Sequence, residues 1–168
     1  MAALRLDAAI EAWLAALDAP ALNKRFRAGG VTFCTLLPLR DTIKVALANS
    51  PRTYRQWDKP WKRNDYGLDL TAAHAPVINS EGKAHLGAGV LASASQDLAV
   101  IDYRTVTEPN LDSTVELVAT KDAKVHGLLV WFDAEIAEGM GYSNAPGQPP
   151  LVYGQMFLPF ANPPRLKA

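Results

Sequence analysis

The chain has 168 residues, 49% of them hydrophobic, with 17 basic and 17 acidic side chains and a formal net charge of zero. That length suffices for one domain with a core of its own but not for two of ordinary size, and the charge balance excludes a whole-molecule field that would steer it to nucleic acid or an anionic membrane. A single cysteine, Cys34, excludes an internal disulfide, and no Cys/His pair has the spacing of a structural zinc site, which fits a reducing, cytoplasmic setting.

The N-terminal stretch "MAALRLDAAIEAWLAALDAP" interrupts its apolar residues with Asp7, Glu11 and Asp18, so it reads neither as a signal-peptide core nor as a membrane span. Leu6, Ile10, Trp13, Leu14 and Leu17 instead fall on one face of a helix. Asp7 suits its N-cap and Pro20 its end. "ALNKRFRAGG" reads as a second short helical turn, with basic residues in its last turn and Gly29 or Gly30 as a left-handed C-cap. Helix is expected to stop there.

From Val31 the texture changes. "VTFCTLL", "DTIKVALA", "YGLDLT", "AHLGAGVLA", "DLAVIDYRTV", "STVELVAT", "KVHGLLVWFDAEI" and "LVYGQMFLPF" are short β-branched or aromatic runs separated by Pro, Gly, Asn and Asp. About eight strands at this spacing predict a mainly β fold, an antiparallel barrel or sandwich. The layout is a helical segment over 1–29, a β domain over 30–160 and an irregular tail over 161–168.

One connection breaks the pattern. "NSPRTYRQWDKPWKRND", residues 49–65, holds Arg52, Arg55, Lys59, Lys62 and Arg63 against Asp58 and Asp65, interleaved with Tyr54, Trp57 and Trp61. A connection longer than about twelve residues is usually functional or a partner contact. Tyr, Trp and Arg are enriched at interface hot spots, the same mixture stacks on bases and contacts phosphates, and a loop packed on its own domain is the third reading.

The segment from Val125 to Phe160 resembles the C-terminal end of protein arginine methyltransferases. "VHGLLVWFDAEI" matches a strand of the type V-H-A-x-x-x-[YW]-F-x-x-E-[FL], "YSNAP" the turn F-S-T-S-P, and "GQMFLPF" the closing K-Q-T-x-F strand. Upstream, "NDYGLDLT" resembles V-Y-G-F-D-M-S, "PLRDTIKVAL" resembles P-x-R-A-T-L-Y-V-x-x, and "LNKRFRAGGV" resembles the R-x-x-W-L-x-P-G-G-x segment between the family's two domains. The likeness runs from about Leu22 to Phe160 and implies the family's C-terminal β-barrel, with one or two short N-terminal helices and residues 49–65 as the inserted dimerisation arm.

The resemblance also implies what these residues lack. The family binds S-adenosylmethionine on a Rossmann-like domain with a glycine-rich turn and two catalytic glutamates; neither V-L-D-x-G-x-G-x-G nor the double-glutamate loop occurs here. Roughly thirty residues before the barrel cannot hold several βαβ units of about 30 residues each. At the family's Thr-His-Trp motif stand Leu151, Val152 and Tyr153, which removes the histidine from acid-base work. The expectation is a substrate-groove and assembly barrel, methyltransferase-like but inactive as this chain alone. Any S-adenosylmethionine site, and any oligomer, would need a partner, met through the arm residues Tyr54, Arg55, Trp57 and Trp61 and the N-terminal helix. The alternative is a stand-alone protein-binding module that has lost the chemistry.

Four further features have modest readings. Asp133 and Glu135, two apart in a strand, share a face; they are either a solvated face or carboxylates that attract an arginine-rich substrate. His74, His85 and His126 lie apart and predict no metal centre, with His126 expected to be packed with one satisfied nitrogen. Cys34 has no basic neighbour to activate it. Gly87 and Gly89 in "HLGAGV", with Glu108 beyond, lack the third glycine and helix of a dinucleotide site and fit a strand bend instead.

Overall fold

The computed structural model describes residues 39–62, 67–107, 110 and 112–168. They belong to the second of two units, Met1–Leu37 and Pro38–Ala168. The expected N-terminal helices, the strand "VTFCTLL", Cys34, Arg63, Asp65 and Glu108 lie outside the described residues.

Two long strands form the axis of the fold. β1 (Arg40–Ala48) pairs antiparallel along its whole length with β5 (Gly127–Ala137), from Arg40↔Glu135 to Ala48↔Gly127. Both carry the β-branched and aromatic alternation that suits a pleated, half-buried surface. On its other edge β5 has two successive partners. β7 (Gln155–Pro159) pairs with its first half, ending at Val130↔Met156, and β6 (Met140–Ser143) with its second half, starting at Asp133↔Ser143. β3 (Gln96–Asp102) extends the sheet beyond β1, and β2 (Gly82–Ala84) extends it beyond β7. The order β2-β7-β5-β1-β3, with β6 beside β5, is an open path among the described residues. A separate pair joins β4 (Ala123–Lys124) to β8 (Arg165–Leu166). The mainly β, antiparallel expectation is thus met.

Two corrections concern helices. The connection after β1 is no loop: α1 spans Pro51–Lys62 and α2 spans Thr71–Ile78. Ser50 precedes Pro51, its hydroxyl donating to Thr53 Oγ1 at 2.8 Å, and a proline in the first helical position has its fixed φ and missing N–H at no cost. Tyr54, Trp57 and Trp61 stand three and four apart, the helical repeat, which the prolines and charges had masked. Secondly, "YGLDLT" forms no strand. Asp69 Oδ1 accepts from the Thr71 amide at 3.0 Å and its hydroxyl at 2.6 Å, a local turn that starts α2 instead. Likewise "STVELVAT" contributes only the bridge Ser93↔Ala119, and Gly87 precedes, and Gly89 lies within, a single 3-10 turn, Ala88–Val90.

The two faces of the sheet are covered at the same end. On one lie Ala46, Ala48, Leu129, Trp131 and Phe157, capped by Trp57 of α1. On the other, Leu47 and Leu128 meet Ala92, Ala119 and Val125, with Phe160 and Leu166 packed alongside. Alternation along β1 and β5 sends neighbours to opposite clusters, as the strand repeat requires. Aspartate 58 ties the helices together: its Oδ1 lies 2.8 Å from His74 Nε2 and 2.7 Å from Lys62 Nζ. Burial pushes the Asp58 carboxyl up, but the bonds from Lys62 and His74 outweigh it and hold the value below the ordinary one. Among the described residues no helix is long and apolar enough to cross a membrane.

The seat of α1 depends on Gly82, where an added Cβ would stand 1.8 Å from Trp57 Cζ2. Gly82→Ala is therefore expected to lower stability by about 1–3 kcal/mol, as overpacking does. Urea unfolding of Gly82→Ala, Trp57→Leu and the double variant would show non-additivity, because both changes act on one contact.

Candidate functional site

Between the ends of β6 and β7, β5 would have a backbone gap at Trp131 and Phe132. Asn144 fills it. Its Oδ1 accepts from the Phe132 amide at 2.8 Å, and its own amide donates to the Phe132 carbonyl at 3.3 Å. Its Nδ2 donates to the Gly154 carbonyl at 2.7 Å. Gln155 continues the chain of bonds, its Nε2 donating to the Asn144 carbonyl at 2.7 Å and its Oε1 accepting from the Leu86 amide at 2.8 Å. Both amides are buried, so these bonds form where an unmet polar group would be costly.

Above this seam the sheet opens a cleft of about 590 Å³, lined among others by Ile43, Phe132, Val130, Met156, Val152 and Tyr153. Ile43 and Phe132 are cross-strand partners and so share a face. Lys83 and Glu81 also line it. Val152 and Tyr153, two of the three residues expected to stand at the Thr-His-Trp position, are 77% and 59% exposed on its rim. Leu151 is half-buried and does not line the cleft.

Asp133 and Glu135 lie elsewhere. They line a second, smaller groove of about 240 Å³ with Arg40, Thr42 and Met140. In β5 they alternate with Phe132 and so face away from the large cleft. Arg40 reaches Glu135 at 2.5 Å, while Lys44 lies 2.5 Å from Asp97 and 3.8 Å from Asp133. Each carboxylate therefore has a cation from its own sheet.

The four arm residues divide. Tyr54 is buried and Trp57 packs on the core, both turned to their own sheet, whereas Arg55 is exposed and Trp61 half-buried. Arg52, Arg55 and Lys59, at spacings of three and four, make an exposed basic stripe along α1. His126 is buried beside Tyr54, ring centroids 5.4 Å apart. Its Nδ1 has no hydrogen-bond partner among the described residues. Burial, then Lys124, holds its pKa below the ordinary value. No group of three metal-ligating side chains occurs among the described residues.

No family model matches the chain, and no curated protein matches it. Solved structures do. In the PRMT1 enzyme-prozyme heterotetrameric complex of Trypanosoma brucei with AdoHcy, a chain superimposes with a TM-score of 0.62 at 14% identity, over 82% of this chain and 47% of that one. Protein arginine methyltransferase 10 of Arabidopsis thaliana, in an open conformation, gives 0.56 at 15% identity over 77% and 47%. A PRMT6 structure gives 0.50 at 22% identity over 74% and 42%. The chain has a fold related to that of protein arginine methyltransferases. It spans about half the length of the methyltransferase chains it matches.

The residues that build the cleft were less legible than those on its rim. The motif comparison found Val152 and Tyr153, but Ile43, Phe132 and Met156 read only as alternating strand positions. Asn144 and Gln155 lie within "YSNAP" and "GQMFLPF", where the sequence pattern does not distinguish them from their neighbours. Their signal is a pair of side-chain amides on either side of a Pro/Gly-rich turn, where one strand must hand over to another.

Asn144→Ala would leave the Phe132 amide and the Gly154 carbonyl without partners, and a loss of about 2–4 kcal/mol is expected in urea unfolding. For His126, the unfolded chain takes up a proton below about pH 6.5 while the folded chain resists it. This contribution is expected to be full above about pH 7.5 and to decline as the pH falls through about 6.5 toward 5.5. The His126→Phe variant should remove that part of the slope, and parallel profiles for the two proteins would refute the assignment.

Proposed function

We propose that this chain is the substrate-groove and assembly part of a protein arginine methyltransferase-like protein, and that it is not catalytic alone. The carrying observation is the cleft beside the β5 seam, with Val152 and Tyr153 on its rim. In the resemblance these positions align with the family's Thr-His-Trp motif, and Leu151, Val152 and Tyr153 offer no imidazole there to exchange a proton at neutral pH. In this reading the six-stranded sheet and the β4-β8 pair are parts of the family's β-barrel, and α1 is its arm.

S-adenosylmethionine does not fit the described residues. Its recognition needs a glycine-rich turn that leads from a strand into a helix N-terminus, whereas the cleft has apolar walls, and Gly87 leads into a single 3-10 turn that contains Gly89. The cofactor site belongs to a partner chain or an adjoining domain. The exposed residues Arg52, Arg55 and Lys59, with Trp61, are the proposed contact, and the partner is protein rather than nucleic acid or membrane. The assembly of the trypanosome relative as an enzyme-prozyme heterotetramer supports a protein partner. Asp133 and Glu135 are a weaker candidate for attracting an arginine substrate, since Arg40 and Lys44 already neutralise them.

A second reading, a protein-binding module without methyltransferase chemistry, is favoured by the exposure of Val152, Tyr153 and Met156 around an apolar cleft. Calorimetric titration separates the two. S-adenosylmethionine added to this chain alone should give no binding heat, and a clear isotherm would overturn the proposal. Tighter binding to a cofactor-domain partner when this chain is present supports the first reading, and no change supports the second. Arg55→Glu with Lys59→Glu should shift the sedimentation profile of the assembly while changing the unfolding free energy by no more than about 0.5 kcal/mol, as exposed surface changes do.

A further inference from the structure

Phe132 and Tyr153 form a corner in the cleft, their ring centroids 6.2 Å apart and their planes at 67°. Tyr142 packs behind Phe132 at 5.9 Å and 88°, edge to face, which fixes the Phe132 ring. Tyr153 and Val152 remain largely exposed, and Met156 is 45% exposed on the same rim. A folded chain gains little by holding such apolar surface in water, and exposed clusters of this kind mark sites of contact. The aromatic faces carry negative quadrupole charge, which attracts a cation placed over them.

The polar groups of the cleft are few. Glu81 lines it and has no ion-pair partner among the described residues. Lys83, the cation that lines it among the described residues, donates its ammonium to the Val152 carbonyl and is thereby held at the rim. Hydrophobic Ile43 and Val130 supply the walls beside the rings. This combination disfavours a strongly hydrated ammonium, whose lost water the apolar walls would not replace. It suits a cation wrapped in methyl groups, which keeps its charge and loses little hydration. The volume, about 590 Å³, exceeds a single such head group and leaves room for an aliphatic stem against Val152 and Met156.

We propose that the cleft binds a trimethylated lysine of a partner polypeptide, its quaternary ammonium against Phe132 and Tyr153 and its charge facing Glu81. The proposal rests on the reading of this same cleft as a peptide-binding groove; titration with S-adenosylmethionine tests the methyltransferase part of that reading and the peptides below test this one, so the two can fail separately.

The test uses the full chain and three peptides of one sequence, carrying trimethyllysine, unmodified lysine, or the neutral analogue in which carbon replaces the quaternary nitrogen. Titration followed by calorimetry should show the trimethyllysine peptide binding about tenfold more tightly than the neutral analogue and several-fold more tightly than lysine. Tyr153→Ala should abolish that preference with an unchanged urea midpoint, because the side chain is exposed. Glu81→Gln should weaken the two cationic peptides and leave the neutral one unaffected. Equal affinity for the neutral analogue, tighter binding of unmodified lysine, a preference that survives Tyr153→Ala, or no binding of any peptide would each overturn the proposal.

Discussion

β5 is a strand with one partner on one edge and two on the other, and the fold depends on how that handover is closed. At Trp131 and Phe132 neither β7 nor β6 is in register to meet the backbone. Asn144 supplies an acceptor and a donor from its side chain and a donor from its backbone, replacing a missing strand residue with an amide of nearly the same chemistry. Gln155 then links this seam to Leu86, beyond β2. A buried network of this type is worth keeping only when every member is satisfied, and here each named amide group of Asn144 and Gln155 has a partner.

The seam also determines where the surface opens. Because β6 and β7 diverge along β5, the sheet face above Phe132 lacks the cover that Leu128 and Leu47 find lower down. The cleft is thus the product of a split in strand pairing. The same strand has a polar end on its opposite face, where Asp133 and Glu135 continue the row that began with the core residues Leu129 and Trp131. One strand therefore passes from core to surface on both faces, apolar on one and charged on the other. That division makes the aromatic cleft, rather than the paired carboxylates, the better candidate for molecular recognition.

α1 is seated on the core by one face and keeps a second face exposed. Tyr54 and Trp57 pack inward, and Gly82 leaves the space that Trp57 occupies. The remaining face carries Arg52, Arg55 and Lys59. A helix seated on the core holds the backbone beneath these cations in one conformation, so a contact made through them would cost less ordering of the chain than one made by a loop.

The sequence by itself determined the strand-rich, antiparallel character of the chain, with the runs that become β1 and β5 among its strands, and the resemblance of its closing segment to a known fold. These follow from side-chain period and residue identity, which are local properties. It did not reveal the helix at Pro51, because proline marks both a turn and a first helical residue and only the packing of Tyr54 and Trp57 against the sheet chooses between them. Nor did it reveal that "YGLDLT" turns into α2, or that an asparagine from the turn after β6 completes β5. Which alternating residues would be covered and which left open was decided by the tertiary structure alone, since exposure depends on the element that packs opposite a residue and not on the residue itself.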